Sequence, residues 1–137
     1  MSLTRSLDSQ ASGFEKMASG LNARAVDFAK LGMLYANAGA WQGRQLAPRV
    51  WVTDPTLVPT RVAEAPARAY QFFWWVQDDR RPRAQFARGK YGQHIYVVPE
   101  SDLVLVRLGR DAGYRHWPQL LSDLASRLDK TLTPAPR

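Results

Sequence analysis

Two glycines in the second half of the chain are the strongest indication of a site that could do chemistry. Gly89 and Gly92 bracket Lys90, just before two runs of alternating residues, 94–98 and 103–108. Glycine adopts backbone angles that other residues avoid, and it lets another group come close to the main chain. Both runs have the period of two of a β-strand and are largely apolar on both alternating sets. The pattern therefore predicts a site built from main-chain groups at the rim of a sheet that is covered on both faces.

Helices are predicted before and after these strands. The first helix begins with an N-cap at Asn22 and ends with Gly39 as its C′ residue, and Pro48 opens a short helix to about Thr53. The central apolar stripe of the first helix consists of Val26, Ala29, Met33 and Ala36, and it is widened by Phe28, Leu31, Leu34 and Tyr35. The last helix has Pro118 in its first turn, and its apolar face is marked by Trp117, Leu120, Leu121, Leu124 and Leu128.

The residues between the helices predict an antiparallel sheet of three to four strands. Three prolines make residues 54–68 a loop, and the aromatic run 70–76 is a strand. Trp74 and Trp75 are adjacent in that run and must point to opposite faces; one belongs to the core, and Trp75 is a candidate wall of a substrate groove. The fold class is therefore α/β (α+β), with an antiparallel sheet flanked by helices and the last helix packed across one face.

Composition excludes several classes of function. The chain has 137 residues, no cysteine, 19 Lys plus Arg and 12 Asp plus Glu, for a net charge of +7. This basic charge raises nucleic-acid binding as a hypothesis, but the charges are spread thinly, and the one cluster, residues 80–83, directly follows two aspartates. A solvated hairpin loop explains that cluster best, with an anion-binding loop as the alternative. We expect no nucleic acid, no metal, no cofactor and no membrane span.

Four segments, in this order, resemble the β-lactamase-related serine hydrolases, a group that includes class C β-lactamases, DD-peptidases, esterases and 6-aminohexanoate-dimer hydrolases. Residues 7–9 and 19–32 are similar to the helix lead-in of that group. Residues 39–48 match its Gly-x-Trp-x-Gly-x-x-Leu-x-Pro segment, and residues 86–106 match its last catalytic-motif strand and the strand that follows. The resemblance covers residues 7–128 and implies the C-terminal part of the β-lactamase/transpeptidase-like fold.

The resemblance implies ester or amide hydrolysis through an acyl-enzyme, but the nucleophile of that chemistry is missing. The group uses a serine in Ser-x-x-Lys, and none of the four lysines, at positions 16, 30, 90 and 130, has a serine three residues before it. A serine without an adjacent base is a weak nucleophile. We therefore expect residues 1–137 to be one partial domain that is inactive alone. We expect residues 1–3 to have been added for expression and residues 133–137 to form a frayed tail.

The same resemblance implies roles for the residues around the glycines. It places Ala87-Arg88-Gly89 on the Lys-Thr-Gly or His-x-Gly triad of the group, which makes the backbone N–H of Lys90 half of an oxyanion hole. Ala87 replaces the cationic first position, which disfavours a true β-lactamase and favours an esterase, amidase or peptidase. A competing register puts the triad at 90–92, and the glycines could instead merely shape a β-bulge. The candidate site residues are catalytic Lys90, Gly89 and Arg88 and substrate-binding Tyr91, Gln93 and Trp75.

Partners follow from the same resemblance. They are the missing N-terminal part of the domain and a small ester, amide or β-lactam-like substrate. Without that part, we expect self-association through exposed apolar surface, for which Trp41, Trp51 and residues 72–75 are candidates. Two other functions remain open, a non-catalytic binding module on the same scaffold and a basic nucleic-acid-binding domain.

Overall fold

The computed structural model describes residues 13, 20–53, 60–62, 65–77, 81–110 and 116–132. The helices are α1 (Ala25–Ala36), α2 (Arg49–Thr53) and α3 (Trp117–Leu132). The strands are β1 (Ala40–Trp41), β2 (Arg44–Gln45), β3 (Thr60–Val62), β4 (Ala65–Gln71), β5 (Trp74–Gln77), β6 (Ala84–Arg88), β7 (His94–Val98) and β8 (Leu103–Arg107). Short 3₁₀ turns follow β6 (Lys90–Gly92) and β7 (Pro99–Ser101). The predicted fragments 1–3 and 133–137 lie outside the described residues.

Strands β3 to β8 form one antiparallel sheet in which each strand pairs with its neighbour in the chain. Strands β1 and β2 form a separate hairpin. Helix α1 packs on one face of the large sheet and α3 on the other. The α/β class with a helix-flanked antiparallel sheet is confirmed, although the sheet has six strands rather than three to four.

Strand β7 is the centre of the core, because all five of its residues are buried. Ile95 and Val97 contribute to the cluster under α1, whereas Tyr96 and Val98 contribute to the cluster under α3. Val97 and Val98 have no exposed surface, and each fully buried side chain of this size stabilises the fold by about 1.5–3 kcal/mol. The period of two therefore predicted correctly that both faces of this strand are covered.

The two additional strands lie where a loop was predicted, because proline disfavours most positions of a strand. β3 and β4 occupy residues 60–62 and 65–71, and their pairing shifts register between Arg61 and Val62. Pro66 belongs to β4, but the pairing of β4 with β5 begins only at Arg68. A proline is compatible with a strand beside such an irregularity, since no ladder hydrogen bond is required of it there.

The predicted strand 70–76 is in fact a tight hairpin. Gln71 pairs with Trp74, so Phe72 and Phe73 form a two-residue turn, with φ of 45° and 69°. Positive φ at both central residues is the geometry of a type I′ turn, which usually contains Asn and Gly. Phe-Phe gives no such turn signal, which is why the sequence suggested one continuous strand. Trp74 and Trp75 do face opposite sides, towards α1 and α3 respectively.

Helix α1 begins and ends close to the predicted residues, but with different caps. Its N-cap is Arg24, without a side-chain capping bond, rather than Asn22. At the other end, the Gly39 N–H donates to the Leu34 carbonyl at 2.8 Å and the Ala38 N–H to the Tyr35 carbonyl at 3.1 Å. These two bonds define a Schellman motif in which Ala38, with φ of 52°, occupies the left-handed C′ position predicted for Gly39.

The buried face of α1 is centred on Gly32 and is formed mainly by the residues that widen the predicted apolar stripe. Val26 is 52% exposed, while Phe28, Leu31, Tyr35 and Ala36 pack against the sheet. A Cβ at position 32 would lie 2.5 Å from Val104 Cγ1 and 3.1 Å from Ile95 Cγ2. The absent side chain therefore lets the helix backbone rest directly on β7 and β8, and this close approach determines which face of the helix is inward.

Helix α3 is confirmed, but it is rotated relative to the predicted apolar face. Leu121, Ser122 and Ala125 are buried against the sheet, whereas Leu120 and Leu124 are 44% and 42% exposed. The small Ser122 and Ala125 side chains allow close packing, and the buried Gln77 amide on β5 donates to the Ser122 hydroxyl at 3.1 Å. The hydrogen bond stabilises this orientation of the helix, since an unpaired buried polar group costs about 1–3 kcal/mol.

Candidate functional site

The candidate site is the loop that joins β6 to β7. The ladder between these strands ends at the pair Arg88 and His94. Beyond it, the Gly89 N–H donates to the Gln93 carbonyl at 2.9 Å, and the Gln93 N–H donates to the Lys90 carbonyl at 3.3 Å. These bonds close a compact loop at the end of two central strands, so the loop lies at an end of the sheet and not on an edge strand.

The backbone N–H of Lys90 lies outside the ladder. Within the described part of the chain it donates to no backbone carbonyl, and both Gly89 and Lys90 are exposed. Arg88, immediately before them, is also exposed. The loop thus presents one main-chain donor beside two cationic side chains, an arrangement suited to an oxygen atom that carries negative charge.

Arg107, on β8, holds the turn from behind. Its guanidinium Nη1 donates to the carbonyls of Tyr91 at 3.2 Å and Gly92 at 2.6 Å, and its Cζ lies 3.9 Å from the centre of the Trp117 ring. A Cβ at position 92 would lie 2.6 Å from that same Nη1, and Gly92 has φ of 75°. Glycine is therefore favoured at this position, mainly by its φ, and a side chain here would also displace the Arg107 guanidinium.

Sequence reasoning did not identify Arg107 as part of the site. The available signal is an arginine at the end of an otherwise apolar strand of five residues. Such a residue needs acceptors nearby, because a guanidinium with five donors is poorly accommodated beside an apolar surface. The carbonyls of the glycine turn are those acceptors.

Gln93 was predicted to contact substrate, yet its amide group already has partners. The Gly109 N–H donates to Gln93 Oε1 at 3.0 Å, and Gln93 Nε2 donates to the Gly109 carbonyl. This pair of bonds imitates one rung of a β-ladder and ties the loop to the chain that leaves β8. The observed contacts support a structural role for Gln93, and a substrate contact stays a prediction.

Tyr91 is at the tip of the turn, where it is 61% exposed and has φ of 59°. Residues with bulky side chains rarely adopt this left-handed conformation. The two carbonyl contacts of Arg107 and the bonds across the loop hold it there. Its exposed ring is available to a ligand of the loop, so the predicted substrate contact is sterically feasible.

His94 is buried at the start of β7, with only 3% of its surface exposed. Its Nδ1 atom has no hydrogen-bond partner among the described residues. Burial, followed by the positive charges of Arg88 and Arg107, lowers the pKa of His94 to about 4. The imidazole is therefore neutral near pH 7.

Two other aromatic residues are placed in the core. Trp75 is half-buried, with its ring 6.2 Å from that of Phe86 and 5.0 Å from that of Tyr70. These ring contacts support a packing role, and the substrate contact of Trp75 stays a prediction. Tyr35 belongs to the cluster under α1, 4.1 Å from the Trp74 ring, and burial raises its pKa, so it is not a base near neutral pH.

Other kinds of site find little support in the described ranges. Those residues contain no group of three or more His, Asp or Glu that could hold a metal ion, and no described helix has the length and apolarity needed to cross a membrane. Arg81 and Arg83 of the basic cluster are exposed, and Arg81 forms an ion pair with Glu100 at 3.3 Å. These contacts agree with the solvated-loop interpretation of the cluster.

Comparison with known proteins agrees with the resemblance seen in the sequence. No family model matches the chain. A curated relative, the 6-aminohexanoate-dimer hydrolase of Paenarthrobacter ureafaciens, is 25% identical over 130 residues, which cover 88% of this chain and 33% of that protein. A solved structure assigned as a 6-aminohexanoate-dimer hydrolase from Bacillus anthracis superimposes with a TM-score of 0.77 at 25% identity, covering 92% of this chain and 33% of that one.

The chain spans about a third of the length of these relatives. That share is consistent with the C-terminal part of a β-lactamase-like hydrolase domain, as the order of its motifs indicates. In sequence and in fold, this chain is therefore similar to about a third of the 6-aminohexanoate-dimer hydrolases, in line with the resemblance to the β-lactamase-related hydrolases.

Proposed function

We propose that this chain is the C-terminal part of a serine hydrolase that cleaves esters or amides through an acyl-enzyme, and that it supplies the Lys90 N–H to the oxyanion hole. The observation that carries the proposal is the position of this N–H, beyond the last ladder pair and in an exposed loop. The nucleophile would come from a Ser-x-x-Lys segment outside these 137 residues, together with the second oxyanion donor.

The surroundings of Lys90 suit this role, because oxyanion stabilisation depends on donors that do not move when charge develops. Arg107 fixes the carbonyls on one side of the turn, and Gln93 fixes its exit through Gly109. The Arg88 and Lys90 side chains add positive potential without competing for the N–H. Removing one oxyanion donor typically lowers kcat by about 10²- to 10³-fold, which sets the scale of the contribution expected from Lys90.

Several features favour a partner for this chain over independent action. β8 is an edge strand of the sheet, and Val26 on α1 and Leu46 are 52% and 56% exposed. An upstream part of the same domain would cover such surfaces, and in its absence we expect copies of the chain to associate. A non-catalytic binding module is the second candidate function, and the missing Ser-x-x-Lys is the specific observation that favours it.

The decisive variant is Lys90→Pro, which deletes the proposed donor and little else. Lys90 has a negative φ, and Gly89 before it is extended, with φ of −108° and ψ of 173°; these are conditions that a proline requires. Lys90→Ala is the matched control, since it removes the same side chain but keeps the N–H. Both variants should therefore fold, and they should differ only in the donor.

The experiment is a titration of the ¹⁵N-labelled chain with acetate, the simplest carboxylate of the product type, followed by NMR. We expect acetate to shift the amide at position 90 both in the native chain and in Lys90→Ala, and to bind at least tenfold more weakly to Lys90→Pro. In parallel, the chain alone should not hydrolyse nitrocefin or p-nitrophenyl esters. Equal acetate binding by both variants, or turnover abolished by a point mutation within this chain, would contradict the proposal.

A further inference from the structure

The turn between β4 and β5 contains two phenylalanines where their presence is unfavourable. Phe72 and Phe73 are 44% and 54% exposed, and both have positive φ. Bulky residues in this region of backbone space are strained, and Asn-Gly would form the same turn without strain. The sequence therefore maintains two exposed aromatic rings at a position where ordinary turn residues would give a more stable hairpin.

Contacts within the chain account for only part of this arrangement. The Phe72 ring stacks on Trp51 of α2, with 5.4 Å between ring centres and 7° between planes, yet Trp51 itself is 57% exposed. Stacking covers only the facing surfaces of these two rings and leaves the rest in water. The three rings thus form an open apolar surface, which we call the aromatic turn: Trp51, Phe72 and Phe73.

The aromatic turn lies at the same end of the sheet as the candidate oxyanion loop. Trp75 pairs with Phe86 across β5 and β6, and continuing that register by two residues places Phe73 on the strand next to Arg88. Arg88 and Lys90 are exposed cations that form no ion pair with a described residue. An apolar surface and an anion-attracting donor therefore lie side by side.

We propose that the aromatic turn is the subsite for the acyl chain of the substrate, and that the substrate class is esters or amides of apolar carboxylic acids. The inference deepens the proposed function and rests on it. With the carbonyl oxygen at the Lys90 N–H, the acyl chain extends across the end of β6 onto Phe73 and Phe72. The strained turn is kept because it presents rings that an Asn-Gly turn lacks.

The test compares straight-chain carboxylates from acetate to octanoate, titrated into the ¹⁵N-labelled chain. A fully buried methylene group raises affinity about fourfold, and on an open surface we expect about half that factor, or about twofold, for each methylene. Octanoate has four more methylene groups than butyrate, so it should bind at least tenfold more tightly. Resonances of Phe72, Phe73 and Trp51 should shift together with the Lys90 amide. If butyrate and octanoate bind equally, the proposal is wrong.

The variant Phe72→Asn/Phe73→Gly separates binding from stability, because it removes the rings and relieves the strain together. We expect it to unfold at higher temperature than the native chain, to bind acetate unchanged, and to lose the tenfold preference for octanoate. The matched control is Leu120→Asn/Leu124→Asn, which removes two apolar side chains of similar exposure on α3 and should keep the preference. If the turn variant is less stable than the native chain, Phe73→Gly alone serves the same comparison.

The outcomes distinguish this inference from the function on which it rests. If no carboxylate shifts the Lys90 amide, the oxyanion assignment fails. If acetate shifts that amide but chain length has no effect, only the acyl subsite fails. If the turn variant keeps the octanoate preference but no longer self-associates, the aromatic turn is a protein-docking surface, and the proposal is refuted.

Discussion

Replacing Gly32 with alanine tests the packing that positions α1 against the sheet. The new Cβ would lie 2.5 Å from Val104 Cγ1 and 3.2 Å from Val104 Cγ2, whereas carbon atoms in contact prefer about 3.5–4.0 Å. Val104 cannot easily turn away, since β-branched side chains have few χ1 rotamers. A contact as short as 2.5 Å belongs at the upper end of the overpacking range, about 3 kcal/mol, and alanine returns about 1 kcal/mol through helix propensity. The expected net loss of unfolding free energy is therefore about 2 kcal/mol.

Urea denaturation followed by tryptophan fluorescence and circular dichroism measures this loss. The midpoint should fall with an unchanged m-value, as expected when the native state alone is strained. The partner variant is Val104→Ala, which removes the two Val104 methyl groups and leaves Ile95 Cγ2, at 3.1 Å, as a contact that a small shift relieves; in that background Gly32→Ala should stabilise the chain by about 1 kcal/mol. The two effects differ by roughly 3 kcal/mol, well above the additivity error of such cycles. A neutral or stabilising Gly32→Ala in the native background would refute the close approach of α1 to the sheet.

Two further predictions concern single positions. Ala38→Gly should raise the unfolding free energy by about 1 kcal/mol, because Ala38 has the left-handed backbone that glycine adopts freely; Ala29→Gly, inside the helix, should lower it by about 1 kcal/mol in the same thermal or urea denaturation. For His94, the folded pKa lies below the ordinary value, so the unfolded chain binds a proton that the folded chain does not. Stability should therefore fall as pH decreases from about 6.5 to 4, by roughly 3 kcal/mol. His94→Phe should remove that part of the pH dependence, and an unchanged profile in this variant would show that other groups cause it.

The strands around the site could be predicted because their side chains are constrained on both faces. β7 and β8 alternate regularly, and burial on two sides leaves apolar residues as the only acceptable choice at nearly every position. The β4–β5 hairpin could not be predicted, because its turn contains Phe-Phe and no residue that favours positive φ. Local pattern in that segment favours an extended strand, and tertiary contacts override it.

The glycine loop was located from the sequence, but the residues that hold it were not. Gly89 and Gly92 stand out in the sequence because they interrupt a largely apolar run. The role of Arg107 depends instead on its contacts with Tyr91 and Gly92, which lie 16 and 15 residues before it in the chain. The same holds for the helix faces. Which stripe of α1 is inward depends on a single close contact between Gly32 and β8, and periodicity cannot distinguish adjacent stripes that are both apolar.

The order of the strands has a consequence for how the chain folds. Every strand of the large sheet pairs with its sequence neighbour, so each hairpin can form from local contacts, and local contacts form fast. The docking of α1 is different, because Gly32 and Val104 are about 70 residues apart and their contact closes a long loop. We expect the meander to assemble early and α1 to dock late. In unfolding, α1 should therefore detach first and uncover one face of β7 and β8. That apolar face is prone to aggregation, so the strength of the contact at Gly32 determines how often the chain exposes it.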